Sequence, residues 1–231
     1  MTFGQGLETA VGDGGLQVLP HLHGFGKQVA GVGPGDRVVE IGPGTGTLTA
    51  ALAAAGARVL AIEVDEGLAP VLAETVGGHD HVEIRFEDAA RVDLATDLGT
   101  GPWALVANLP YNISTELLIK WLKAGPALWS VMALMFQKEV ADRILAAPGS
   151  KTYGRLSVMT QTASIPSRAF NLPARAFTPP PKVDSTVVLF EQTPAPFEAL
   201  SALEKITQAA FSQRRKMLRS SLKPVFGEKL S

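Results

Sequence analysis

Asn108, Leu109, Pro110 and Tyr111 set an amide, a ring-locked backbone and an aromatic face side by side in four consecutive residues. Those types suit one chemistry well: gripping the exocyclic amine of a flat, unstacked base. An adenine N6 amine is a poor nucleophile because its lone pair is delocalised into the ring. A side-chain amide oxygen and a backbone carbonyl can accept both of its N–H bonds, drawing the nitrogen towards tetrahedral geometry and freeing the lone pair. Proline removes a competing donor and stiffens the turn, while a tyrosine ring offers a stacking face worth about 1–3 kcal/mol. No general base is required. The same residues would also suit an ordinary loop, with Ser114 capping a helix and Tyr111 buried.

Such a turn acts only where flanking elements hold it. Trp103-Ala104-Leu105-Val106 is an apolar run of strand character, and Ser114-Thr115-Glu116-Leu117 reads as a helix start. In an open parallel sheet a strand-to-helix turn lies at the carboxyl edge, where ligands bind. A second unit of this kind comes earlier. The strand Arg37-Val38-Val39-Glu40-Ile41 runs into Gly42-Pro43-Gly44-Thr45-Gly46-Thr47 and then an alanine-rich helix over Ala50 to Ala55. The glycines let the backbone pass close to a ligand, and the helix aims its free N–H groups there. A dinucleotide-binding loop would carry its third glycine where Thr47 stands. Alternating Gly42, Gly44 and Gly46, preceded by the acidic Glu40, favour a nucleoside over a pyrophosphate.

Two more acids follow the same plan. The strand Val59 to Ile62 ends in Glu63, placed to accept both ribose hydroxyls, with Asp65 left to cap the next helix. The strand Val82 to Phe86 is followed by Glu87 and Asp88, and Asp88 can hold an adenine amine. Taken singly, Glu40, Glu63 and Asp88 each suit a helix cap or a solvated loop charge. Three acids ending consecutive strands beside a glycine loop suggest one site.

Together these features resemble the class I S-adenosylmethionine-dependent methyltransferases. The resemblance implies an α/β, Rossmann-like fold with a mostly parallel sheet, an antiparallel late strand at Val187 to Phe190, and S-adenosyl-L-methionine as cofactor. Its sulfonium is positive, so carboxylates around it are tolerable where a phosphate would be repelled. Further along, Phe136-Gln137-Lys138-Glu139-Val140-Ala141-Asp142-Arg143, Tyr153-Gly154-Arg155-Leu156-Ser157-Val158 and Phe177-Thr178-Pro179-Pro180-Pro181-Lys182-Val183-Asp184-Ser185 look like the rRNA adenine N6,N6-dimethyltransferases, and more narrowly the bacterial small-subunit enzymes of the KsgA type.

That resemblance, over roughly Val38 to Lys223, implies roles residue by residue. Gly42, Glu63, Asp88 and Asn108 match cofactor contacts, with Glu40 and Gly44 in the same loop region. Asn108, Leu109 and Pro110 match the catalytic turn, and Tyr111 and Phe177 match two rings that sandwich an extruded adenine. The implied activity is dimethylation of N6 of two adjacent adenosines near the 3′ end of 16S rRNA in the immature small ribosomal subunit, with a role in ribosome biogenesis. Two other readings stand beside it: a 23S rRNA adenine N6-methyltransferase of the antibiotic-resistance type, and a small-subunit assembly factor without turnover.

Composition agrees with a folded enzyme. The chain has 231 residues, 46% of them hydrophobic, and no cysteine, which excludes disulfides, thiolate metal sites and cysteine nucleophiles. His21 and His23, and His79 and His81, lack zinc-site company, so no metal is expected. The first residues lack the basic start and apolar core of a signal peptide, and no run is long enough to span a bilayer, so a soluble protein with no membrane partner is expected; the absence of cysteine makes a reducing, cytoplasmic setting the default, and a monomer is expected. Residues 1–100 hold 5 Lys/Arg against 14 Asp/Glu and residues 101–231 hold 16 against 8, a balance of −9 and then +8. The later part is therefore expected to meet a polyanion.

Three segments follow from punctuation. Residues 1–35 form a glycine-rich arm in which Phe3-Gly4-Gln5 matches the family pattern only in part; residues 36–192 form the catalytic domain. After the linker Thr193-Pro194-Ala195-Pro196, residues 197–231 form a small C-terminal helical RNA-binding domain, shorter than the family pattern. A helix from Ala199 to Gln213 leads there into Arg214, Arg215, Lys216, Arg219 and Lys223, a basic cluster suited to an RNA backbone. Continued helix would set Arg215 and Arg219 one turn apart.

Overall fold

The computed structural model describes residues 17–18, 31–97, 101–110, 112–178, 180–213 and 216–227. In chain order the first elements are β1 Gln17–Val18, β2 Arg37–Ile41, α1 Thr47–Ala54, β3 Arg58–Glu63, α2 Ala69–Val76, β4 Val82–Phe86, α3 Leu94–Asp97, β5 Trp103–Asn108 and α4 Ser114–Ala124. There follow β6 Trp129–Gln137, α5 Lys138–Ile144, α6 Arg155–Ala163, β7 Ser164–Leu172, β8 Phe177–Thr178, β9 Ser185–Gln192, α7 Leu200–Ser212 and α8 Leu218–Phe226.

Seven strands form one sheet in the order β4-β3-β2-β5-β6-β9-β7. The first five pair in parallel, and β9 and β7 are antiparallel to their neighbours. The expected late antiparallel strand is β9, and a second one, β7, lies outside it at the edge. The order reverses between β2 and β5, so the loops leaving those two strands lie at the switch point, the usual ligand position in such sheets.

Period-2 alternation decides which side chains share a face. Val39, Ile41, Leu60, Ile62, Leu105 and Ala107 point into one core, which α4 closes with Leu117, Leu118, Trp121 and Leu122. The intervening Val38, Val59, Ala104 and Val106 point to the other, closed by Leu48 and Leu52 of α1. The spacing of those four α4 residues makes a helical stripe one face wide. Trp129 Nε1 donates to the Trp121 carbonyl at 3.0 Å, so the indole at the base of β6 enters the core with its polar atom satisfied. At the amino edge, the Arg37 guanidinium lies 3.8 Å above the Trp103 ring.

Differences from the sequence reading are local. Ser114 is the first residue of α4 and Ile113 holds the cap position without a side-chain cap bond, so Ser114 is not the helix cap. The basic segment is not one helix: α7 stops at Gln213, whose φ of −136° and ψ of 79° leave the helical region, and α8 begins only at Leu218. Lys216 therefore stands in the connection while Arg219 and Lys223 ride on α8. Beyond the linker, α7 returns to the sheet domain, where Glu204 accepts from Lys123 of α4 at 2.9 Å and from Arg155 of α6 at 2.8 Å. These two cations, Lys123 first, hold the Glu204 carboxyl below the usual carboxylate range. Among the described residues no helix is long and apolar enough to cross a membrane.

Candidate functional site

The alternation that builds the core also gathers the predicted site. Glu40 continues the Val38 side of β2, Glu63 the Val59 side of β3, and Asn108 the Ala104 and Val106 side of β5. All three therefore leave the sheet on the face that α1 covers. Glu40 pairs in register with Val106, one residue before the carboxyl end of β2 and two before that of β5. A Cβ on Gly42 would stand 3.5 Å from the Asn108 carbonyl oxygen, so the glycine loop and the catalytic turn touch at the switch point.

The loop itself is locked by its backbone. Gly42, Gly44 and Gly46 have φ of 71°, 58° and 82°, all in the left-handed region that strains other residues. At Gly46 space is short as well, because a Cβ would come within 3.0 Å of Leu72 on α2. Glu63 ties the loop to β3. One carboxylate oxygen accepts from Gly44 N at 3.1 Å, and the other from Val64 N at 2.8 Å and Asp65 N at 3.0 Å. Charge-assisted bonds to three main-chain N–H groups fix that carboxylate. Asp65 caps the next turn through Gly67 N at 2.9 Å, as its spacing predicts.

Glu40 is the unusual member. It is 1% exposed, and neither its Oε2 nor the hydroxyl of Thr49 from α1 has a hydrogen-bond partner. Burial pushes its carboxyl up to about 7; the nearby Thr49 hydroxyl restrains the rise and the Glu63 charge adds to it. Asp88 is more open. Its Oδ1 accepts from Ala90 N at 2.9 Å, closing the turn after β4, and Arg91 approaches its Oδ2 at 3.4 Å.

On the catalytic turn Asn108 is half-buried, Leu109 is buried and Pro110 is exposed. Leu109 anchors the turn in the core while Asn108 stays reachable. Tyr111 lies outside the described residues, as do Pro179, Arg214, Arg215 and nearly all of the N-terminal arm. Phe177 is 2% exposed and packs in the α1-side cluster with Met135 and Val187. Met135 is the register partner of both Asn108 and Val187, so Phe177 belongs to the Asn108 end of the sheet. Its burial there is enough to account for an aromatic at this position. Lys216, Arg219 and Lys223 are exposed, away from the glycine loop on the α7–α8 segment.

Sequence reasoning passed over Thr49, whose only signal is its place one turn into the helix after the loop. It also passed over Glu204, whose ion pairs span 81 and 49 residues. A cavity of about 540 Å³, also unforeseen, opens between α4, α5, α6 and α7, lined among others by Thr115, Arg143, Arg155 and Phe211. It adjoins the helix that leaves the catalytic turn but contains none of the predicted side chains. No cluster of metal-ligating residues occurs among the described residues.

The donor set bears on the cofactor. Carboxylates of Glu40, Glu63 and Asp88 beside a glycine loop, with one buried oxygen unpartnered, accept hydroxyls, amines and positive charge. They would repel a phosphate. A ribose, an adenine amine and a sulfonium fit this set.

The chain is similar to known proteins in sequence and in fold. Residues 27–230 match the family model described as ribosomal RNA adenine dimethylase. The chain is 53% identical over 213 residues to ribosomal RNA small subunit methyltransferase A of Phenylobacterium zucineum, covering 88% of this chain and 72% of that protein. It is also 53% identical over 206 residues to the protein of the same name from Caulobacter vibrioides, covering 88% and 79%. Among solved structures, a dimethyladenosine transferase from Plasmodium falciparum superposes with a TM-score of 0.74 at 30% identity, over 88% of this chain and 73% of that one. The 23S rRNA methyltransferase ErmE superposes with a TM-score of 0.71 at 27% identity, over 92% and 84%.

Proposed function

Since the chain belongs to the ribosomal RNA adenine dimethylase family, we propose that it uses S-adenosylmethionine to dimethylate N6 of two adjacent adenosines near the 3′ end of 16S rRNA, acting on the immature small ribosomal subunit as a monomer in the cytoplasm. The observation that supports this reading is the approach of the glycine loop to the Asn108 turn, where a Cβ on Gly42 would stand 3.5 Å from the Asn108 carbonyl oxygen; we read the acids beside it as acceptors for a nucleoside and the Asn108 carboxamide as the grip on the target amine. The 53% identity to small-subunit enzymes, against 27% to a large-subunit one, favours the small-subunit substrate.

When bound, S-adenosylmethionine supplies an electrophilic methyl carbon on a cationic sulfur. The chain's own residues do the rest. Glu63, fixed by three N–H groups, keeps one open acceptor site, on the oxygen that Gly44 N approaches, and receives a ribose hydroxyl there, while Asp88 receives the adenine amine of the cofactor. Asn108 and the carbonyl of Leu109 accept from the target amine and aim its lone pair along the line of attack. Tyr111 stacks on the target base, and Phe177 closes the Asn108 end of the pocket. Positioning and electrostatics carry most of the rate.

Methylation of purified precursor small subunits, mapped at nucleotide resolution, tests the reading. Two neighbouring dimethylated adenosines near the 3′ end are expected; methylation confined to large-subunit RNA, or none, overturns it. Exposed Lys216, Arg219 and Lys223, with Arg214 and Arg215 beside them in sequence, would grip RNA phosphates. Replacing Lys216, Arg219 and Lys223 with alanine is expected to flatten the plot of log affinity against log salt by about two to three ion equivalents. An unchanged slope removes these residues from the interface.

A further inference from the structure

Lys120 of α4 makes a contact that neither fold nor chemistry requires of it. Its half-buried ammonium donates to the carbonyls of Ala90 at 3.2 Å and Val92 at 2.7 Å, across 30 and 28 residues. Both carbonyls belong to the turn after β4 that presents Asp88. Within that turn Ala90 N donates to Asp88 Oδ1, while Arg91 N and Val92 N donate to the Asp88 carbonyl at 2.8 and 3.2 Å. The Asp88 side chain is 42% exposed, so packing alone does not set its direction. Its turn does, and Lys120 holds the outward carbonyls of that turn.

The other anchor of the turn is Val92, 5% exposed and packed in the cluster that α4 closes with Leu117, Leu118 and Trp121. Lys120 rises from the same helix between those residues. That helix begins three residues after Tyr111, so one rigid element carries the catalytic turn at its start and braces the adenine-side turn two helical turns later.

We propose that Lys120 is a positioning residue for cofactor recognition, holding the Ala90 and Val92 carbonyls so that Asp88 meets the adenine amine of S-adenosylmethionine. The inference rests on the reading of Asp88 as the adenine contact. Without the ammonium, two half-buried carbonyls lose a charged donor, and the turn relaxes away from the geometry a directional carboxylate contact needs.

Calorimetric titration with S-adenosylhomocysteine, on the full chain, tests it through a double-mutant cycle. Lys120→Met keeps the apolar stem and is expected to weaken binding about tenfold, the size of one charged hydrogen bond. In the Asp88→Ala background the same change should cost less than twofold, since the carboxylate it positions is gone. Equal losses in both backgrounds, or no loss in either, overturn the proposal, because Lys120 would then serve the fold in general or nothing at all. Should Lys120→Met fail to fold, Lys120→Gln with amide exchange across residues 88–92 replaces it; faster exchange there with weaker binding supports the brace, and unchanged exchange refutes it. A wild-type chain that does not bind S-adenosylhomocysteine, or an Asp88→Ala chain that binds it as tightly as wild type, refutes the reading of the site itself and not merely the role of Lys120.

Discussion

Asn108→Ala is expected to lower kcat for methyl transfer by about 10²–10³-fold while affinity for the RNA substrate stays within about twofold, the loss typical of removing one preorganised polar group from a developing charge. The change cannot act through the core, because Asn108 is only half-buried and the anchor of the turn is the neighbouring Leu109, 1% exposed. What disappears is one acceptor for the target amine. The Leu109 carbonyl alone then holds a nitrogen whose lone pair remains delocalised in the ring. Single-turnover methylation of precursor small subunits, with binding measured in parallel, checks this. Wild-type kcat in the variant would remove the carboxamide from the chemistry, and a proportional fall in RNA affinity would reassign it to docking.

Glu40→Gln should change the pH dependence of stability more than any other single substitution in the site. In the unfolded chain this carboxyl ionises near 4.5, and in the folded chain burial, restrained by Thr49 and reinforced by the Glu63 charge, moves it to about 7. Between those values the folded chain keeps a proton that the unfolded chain has released, so raising the pH favours unfolding. The stabilising contribution is complete below pH 4.5 and is lost as pH climbs through 7, about 3 kcal/mol in all at 1.36 kcal/mol per pKa unit. Glutamine keeps the shape and has no proton to lose. Urea unfolding from pH 5 to pH 8 should therefore show the wild-type chain falling relative to Glu40→Gln by about that amount. Parallel profiles would mean that Glu40 stays ionised in the fold.

Sequence patterning revealed much of this architecture for a plain reason. Strands buried on both faces read as near-continuous apolar runs, and β2 and β5 sit where Arg37 to Ile41 and Trp103 onward predict them, while the edge strand β4 sits where the alternating residues Val82 to Phe86 predict it. Three acids at strand ends declare themselves because a charge after an apolar run marks the sheet edge. α6 and β7 were silent. Arg155 to Ala163 carries polar residues on most sides, and β7 is an edge strand whose Ser164 to Leu172 is largely exposed, with Pro166 and Arg168 interrupting any alternation. The break between α7 and α8 was equally hidden, since Gln213 to Met217 holds residues that tolerate helix well and only the local dihedrals end it.

Within the candidate site, the strand-end acids and the Asn108 turn were readable as candidates because their residue types stand together in the sequence. Thr49 and Lys120 were not, because each stands beside groups that only the fold brings near. Lys120 bonds carbonyls 28 and 30 residues away, and main-chain oxygens leave no mark in a sequence.

The paired cations on Glu204 have a consequence for substrate choice. Lys123 lies on the helix that leaves the Asn108 turn, and Glu204 on the helix that leads to the basic segment, so the two are bolted together at 2.9 Å. If Lys216, Arg219 and Lys223 grip RNA phosphates as proposed, this ion pair makes the span from that grip to the Asn108 turn a property of the protein and not of the RNA. A chain built that way would act as a gauge: of all adenosines along a bound strand, it would reach those at one fixed offset from the grip.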